Sequence, residues 1–123
     1  MAKILVVEDE APIANAYRIV MEQAGHTVAV AGDVATALEL WHKERPAIIL
    51  LDILLPGVNG LDFLKQLGAP KGLGSTKVIA LSNIETRKVV EEAKHLGVAE
   101  YLPKVQFTPH QLLDVVNQQL SES

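Results

Sequence analysis

Three carboxylates close two of the most apolar stretches of the chain. Ile4-Leu5-Val6-Val7 stops on Glu8 and Asp9, and Ala47-Ile48-Ile49-Leu50-Leu51 stops on Asp52. Apolar runs of this length, bounded by turn residues, read as strands buried on both faces. An acid at the tip of such a strand is held at the edge of a core, where a carboxylate without a partner is costly. Three acids brought together gather negative charge that a hard divalent cation with oxygen ligands neutralises. A cation held there screens the approach of one anion to another, so the chemistry suggested is attack of a carboxylate on a phosphoryl group. A hydroxyl, Ser82, and an ammonium, Lys104, follow two further apolar runs. Both suit the oxygens of an attached phosphoryl group.

The elements that must bring these residues together follow from periodicity. Strands are expected at Lys3 to Val7, Thr27 to Val30, Ala47 to Leu51, Lys77 to Leu81 and Ala99 to Leu102. Helical stripes lie between them: Ile13, Tyr17, Val20, Met21 and Ala24; Val34, Ala37, Leu38 and Trp41; Leu61, Leu64 and Leu67; Val89, Ala93 and Leu96; Leu112, Leu113, Val116 and Leu120. Asp33 is the expected N-cap of the second helix, and Thr108 opens the fifth with Pro109 at its first position. Five strand-then-helix units imply an α/β fold, a doubly wound five-stranded parallel sheet with helices on both faces. The order 2-1-3-4-5 makes strands one and three neighbours, so Glu8, Asp9 and Asp52 meet at the carboxyl edge, beside the switch point where such sheets bind ligands. The stretch Gly68 to Ser75 reads as a long, mobile, glycine-rich surface loop.

Bulk properties narrow the classes. The chain has 123 residues, 49% of them hydrophobic, no cysteine and a formal charge of -4 from 15 acids against 11 Lys and Arg. One domain over residues 1–123 is expected, with no disulfide and no thiolate metal site. An acidic chain without a basic run argues against direct nucleic-acid binding. No apolar stretch is long enough to span a membrane, and the default location is cytoplasmic. His26, His42, His95 and His110 lack ligand spacing and read as surface or packing residues.

Glu8-Asp9 after strand one, Asp52-x-x-Leu55-Pro56-x-x-x-Gly60 after strand three, Ser82 after strand four and Tyr101-Leu102-x-Lys104 at the end of strand five occur in order over essentially the whole chain. This set resembles the receiver domain of bacterial two-component response regulators. The resemblance implies that Asp52 is the phosphoacceptor for a histidine kinase or a histidine phosphotransfer protein. It implies Mg2+, replaceable by Mn2+, on Asp9, Asp52 and the backbone carbonyl of Leu54, with Glu8 acting through water. Ser82 would turn towards the phosphoryl group, Lys104 would pair with it, and Tyr101 would rotate inward as the aromatic switch. Helix 4, strand 5 and helix 5 would carry the signal to a downstream protein or a second copy. The chain would catalyse only its own phosphorylation and slow dephosphorylation, and no output domain is expected within residues 1–123.

Some positions depart from the family pattern. Receivers usually carry proline after the lysine; here Val105 follows Lys104, and the Lys104–Val105 bond is expected trans, or cis under visible strain. Asn83 stands where a smaller residue is usual. Leu54 and Ile84, two residues beyond Asp52 and Ser82, are apolar and cannot orient an attacking water, which implies slow loss of the phosphoryl group. Other readings attach to the same residues. Glu8 and Asp9 suit a helix N-terminus, and Ser82 with Glu85 fits the capping box that would start helix four. A receiver serving only as an interaction module is one alternative. An Mg2+-dependent aspartyl phosphatase is another, although Leu54 stands where such enzymes carry a second aspartate. Thr86, Arg87, Lys88, Glu91, Glu92 and Lys94 give helix four a mixed-charge exposed face.

Overall fold

The computed structural model describes residues 2–55, 58–83 and 86–122. Strands β1 (Lys3–Val7), β2 (Thr27–Ala31), β3 (Ile48–Asp52), β4 (Lys77–Ser82) and β5 (Val98–Pro103) form one parallel sheet in the order 2-1-3-4-5. Helices α1 (Ala11–Gln23), α2 (Val34–Glu44), α3 (Gly60–Gln66), α4 (Arg87–His95) and α5 (Pro109–Ser121) follow the strands in turn. Every predicted strand is present at nearly its expected ends, and the predicted order is the observed one.

Alternation along each strand builds two cores. Ile4, Val6, Ile48, Leu50, Ile79, Leu81 and Leu102 pack with Ala14, Tyr17, Met21, Leu112 and Val116, under α1 and α5. Leu5, Val7, Ile49, Leu51, Val78 and Ala80 pack with Trp41, Leu61, Phe63, Leu64 and Ala93, under α2, α3 and α4. Strands covered on both faces need no polar side, which is why they read as continuous apolar runs. One irregularity matters for the site. Between Val78↔Val98 and Ile79↔Glu100 the β4–β5 register shifts by a bulge. The extra residue reverses the alternation of β5, so Val98 and Tyr101 pack on the same core, on the α4 side, while Leu102 faces α5.

Helix starts follow local chemistry. Asp33 Oδ1 accepts from Thr36 N–H at 2.7 Å and caps α2. Thr108 caps α5 in a reciprocal box with Gln111, with Pro109 in the first turn. Helix α4 begins later than the Ser82-x-x-Glu85 pattern predicts: Thr86 is its N-cap, accepting from Val89 N–H at 3.4 Å. Ser82 instead pairs with Pro103 as the last residue of β4, and the strand wins because β5 carries the ladder one residue further than β3 does. Glu85 lies outside the described residues, as does Ile84.

The segment after α3 lies on the surface as expected, but one residue anchors it to the core. Leu73 is buried in the α2–α4 core, in a 3-10 turn over Lys71–Leu73. Gly72 N–H donates to Gly68 carbonyl at 2.8 Å, and Thr76 Oγ1 donates to the Pro46 carbonyl at 2.6 Å. Glycine supplies close backbone approach here: a Cβ on Gly72 would collide with the Leu67 carbonyl. The sequence also gave no warning of the short antiparallel ribbon that follows β3, Leu54–Leu55 against Val58–Asn59.

Candidate functional site

β3 lies between β1 and β4, so its last residue, Asp52, is flanked by the ends of both. Val7 pairs with Leu51, which brings the following Glu8 level with Asp52; on the other side Asp52 pairs with Leu81, one residue before Ser82. The backbone at Asp52 is gripped from behind. Gly60 N–H donates to the Ile53 carbonyl at 2.6 Å, and a Cβ on Gly60 would collide with the Asp52 carbonyl oxygen. The turn that aims the carboxylate therefore needs glycine at position 60.

Lys104, just beyond β5, reaches into this edge. Its Nζ lies 2.7 Å from Glu8 Oε2 and 3.1 Å from Asp52 Oδ2. The other oxygen of Asp52, Oδ1, accepts from Leu54 N–H at 3.1 Å, and Glu8 Oε1 accepts from Glu10 N–H at 3.2 Å. Glu8 and Asp52 are buried at 2% and 4% exposure, so one ammonium serves two carboxylates taken out of water. The Glu8 contact is an ion pair rather than a well-aligned hydrogen bond, since buried Oε2 has no aligned donor. Burial pushes the Glu8 carboxyl above its ordinary value; Lys104 opposes this and the charge of Asp52 adds to it. For Lys104, burial alone works against the charged form, but Glu8 and Asp52 together outweigh it and hold the ammonium above its ordinary value.

Asp9 is exposed at the rim, yet oxygens of Glu8, Asp9 and Asp52 all lie within 4.8 Å of one another. An all-oxygen set with one member open to solvent fits a hard divalent cation that keeps part of its water shell. Ser82 is buried at the end of β4, and Tyr101 is half-buried on the α4 side of the sheet. Leu54, 53% exposed, faces a groove of about 610 Å³ that Asp52 and Lys104 share with Pro12, Ile13, Tyr17 and Phe107. The structure thus places Glu8, Asp9, Asp52, Leu54, Ser82 and Lys104 at or just beyond one edge of the sheet, while Tyr101 lies two residues before the end of β5 and packs on the α4 side.

The site role of Tyr17 escaped the sequence reading, and so did the partner of Asn83. Tyr17 was legible only as a core residue of α1, but its ring also walls the groove; burial raises its hydroxyl, Lys104 lowers it, and the two acids raise it further. Asn83 Oδ1 accepts from Val105 N–H at 3.1 Å, a pairing across two loops that no local pattern signals. The described cis peptide bond is Ala69–Pro70, so Lys104–Val105 is trans, as its sequence implies. On α4, Glu92 departs from the expected open face: it is half-buried and pairs with Lys65 of α3 at 2.6 Å.

Comparison with known proteins gives a consistent answer. Among curated proteins, the chain is 37% identical over 112 residues to the alkaline phosphatase synthesis transcriptional regulatory protein SphR of Synechococcus elongatus, covering 84% of this chain and 43% of that protein. It is 36% identical over 118 residues to the DNA-binding response regulator MtrA of Mycobacterium tuberculosis, covering 96% and 50%. The chain thus spans about half the length of these relatives. Among solved structures, the receiver domain of Francisella response regulator 1452 superposes with a TM-score of 0.85 at 29% identity, covering 99% and 98% of the two chains. Chemotaxis response regulator CheY4 of Vibrio cholerae gives 0.85 at 28%, covering 97% and 98%. The family model described as the response regulator receiver domain matches residues 4–117, and the chain belongs to that family of two-component signalling domains.

Proposed function

We propose that Asp52 is the phosphoacceptor of a phosphorylation-driven switch. A carboxylate oxygen of Asp52 attacks the phosphorus of a phosphohistidine on a kinase or histidine phosphotransfer protein. The P–O bond forms as the P–N bond breaks, and the imidazole leaves with its electron pair and takes up a proton. Asp9, Asp52 and the Leu54 carbonyl would hold Mg2+, or Mn2+ in its place, with Glu8 acting through water. When bound, the ion neutralises the charge gathered at this edge and eases the meeting of two anions. Lys104 then exchanges its contact with the Asp52 carboxylate for one with a phosphoryl oxygen, and the Ser82 hydroxyl donates to another. The phosphoryl group turns the single charge of the Asp52 carboxylate into nearly two, with strong acceptor oxygens, at the end of β3 beside Ser82 of β4. Tyr101, packed beside α4, would answer by turning inward, and α4, β5 and α5 would present the changed face to a protein target or a second copy.

The observation that carries this reading is the single ammonium of Lys104 bracketed by Glu8 at 2.7 Å and Asp52 at 3.1 Å, on a sheet edge with Asp9 beside it. Receiver domains are signalling domains, and self-phosphorylation needs no cap or second substrate site. The direct test is incubation with Mg2+ and acetyl phosphate, followed by intact mass. One phosphoryl group per chain, lost in Asp52→Asn and in chelator, is expected. Sustained release of many phosphates per chain, or labelling that survives Asp52→Asn, would overturn the assignment.

A further inference from the structure

One contact at the sheet edge lies outside this scheme. Asn83 Oδ1 accepts a hydrogen bond from the backbone N–H of Val105 at 3.1 Å. Ser82 pairs with Pro103, so the next residues, Asn83 and Lys104, leave the sheet side by side. Lys104 opens a short 3-10 turn, Lys104–Gln106, and Pro103 before it provides no side-chain cap. The first N–H groups of such a turn have no partner within it. Asn83 therefore caps the turn from a different strand, doing for it what an asparagine N-cap does for its own helix. Fixing Val105 fixes the backbone of Lys104, whose ammonium lies between the two buried acids. Asn83, Lys104 and Val105 also line the same groove as Asp52.

We propose that Asn83 is a positioning residue for Lys104. Through the Val105 N–H it holds the β5–α5 turn so that the ammonium stays within reach of Asp52 and of a phosphoryl group carried there. This rests on the reading of Asp52 as phosphoacceptor. Val105 is 79% exposed and water competes for its N–H, so the effect is a few-fold one.

The test uses the whole chain with Mg2+ and acetyl phosphate. It follows the rate of Asp52 phosphorylation by intact mass and the amide exchange of Val105 by NMR. Asn83→Ala is expected to speed Val105 exchange and to slow phosphorylation about fivefold, the weight of one net hydrogen bond. Asn83→Asp keeps the acceptor atom and is expected to restore protection of Val105. Because Asn83 acts through Lys104, the double variant N83A/K104A should react no more slowly than K104A alone. Wild-type phosphorylation rates in Asn83→Ala, or full additivity in the double variant, overturn the proposal. A wild-type chain that takes no phosphoryl group on Asp52 overturns the phosphoacceptor reading as well. Val105 exchange separates the two failures, since it reads the cap without any phosphoryl transfer.

Discussion

Lys104 Nζ lies 3.1 Å from Asp52 Oδ2, joining residues 52 positions apart in the chain. The same nitrogen is 2.7 Å from Glu8 Oε2, so two buried acids share one positive charge. Removing one partner from such a set leaves buried charge uncompensated. Lys104→Met is expected to lower stability by about 3–5 kcal/mol at neutral pH, the cost of removing one partner from a buried ion pair. Added Mg2+ should recover part of the loss, because a second cation can meet the same oxygens. Urea denaturation with and without Mg2+ measures both effects, and a variant as stable as the parent contradicts the shared-charge geometry.

Gly60 tests whether the backbone behind Asp52 matters. Its N–H is bonded to the Ile53 carbonyl at 2.6 Å, and there is no room for a methyl group against the Asp52 carbonyl. Gly60→Ala must push β3 and α3 apart, at about 1–3 kcal/mol for an overpacked site. Because the displaced atom belongs to Asp52, phosphorylation by acetyl phosphate should slow as well. A variant that loses stability but keeps the parent rate would show that the strain is absorbed by α3 alone.

The sheet was legible because strands such as Ile48–Asp52 are covered on both faces and leave an unbroken apolar run. Their order then put Glu8, Asp52, Ser82 and Lys104 on one edge, since the carboxyl ends of parallel strands share a side. Legibility ended where tertiary pairing decided. Both Ser82 and Thr86 offer capping hydroxyls, and only the Ser82↔Pro103 ladder assigns the cap to Thr86. The bulge that turns Tyr101 towards α4 has no local signature in Val98-Ala99-Glu100. Asn83 and Val105 each stood out as a departure from the family pattern, but they are 22 residues apart and nothing local says that they pair.

Leu73 shows the same limit from the other side. A glycine-rich composition pointed to a mobile loop, yet this one leucine is 5% exposed and packs into the α2–α4 core. Leu73→Ala is expected to cost about 2–4 kcal/mol, as for other buried leucines. A surface leucine would cost almost nothing. Chemical denaturation separates the outcomes, and a change under about 0.5 kcal/mol, typical of surface substitutions, would show that Leu73 does not anchor the loop.

Leu54 bears on how long a signal lasts. Its side chain is 53% exposed beside Asp52 and offers no hydrogen bond to an attacking water. With Asp52 as the proposed phosphoacceptor, hydrolysis of its acyl phosphate would proceed without help from this side chain. Leu54→Asn supplies a polar group in its place and is expected to speed loss of the phosphoryl group about five- to tenfold, the weight of one oriented hydrogen bond. The check is decay of phosphorylated chain after removal of the phosphodonor; loss within seconds in the parent would contradict slow decay outright.

Glu8 should leave its mark on the pH dependence of stability. Burial raises its carboxyl above the ordinary 4.5, with Lys104 opposing and Asp52 adding to the shift. The folded chain thus binds this proton more tightly than the unfolded chain. Stability from that proton is fully present below about 4.5 and is lost as pH rises through the raised folded value. Glu8→Gln carries no such proton, so the parent should fall behind the variant as pH rises across that window and keep a constant deficit above it. Titrating groups remote from Glu8 affect both proteins alike and cancel in the difference. Thermal melts of the pair in chelator, stepped from pH 4 to 8, measure it, and Mg2+ should narrow the gap by favouring the ionised carboxylate. A difference independent of pH would mean that Glu8 is ionised at no cost in the folded chain, and that Lys104 alone offsets its burial.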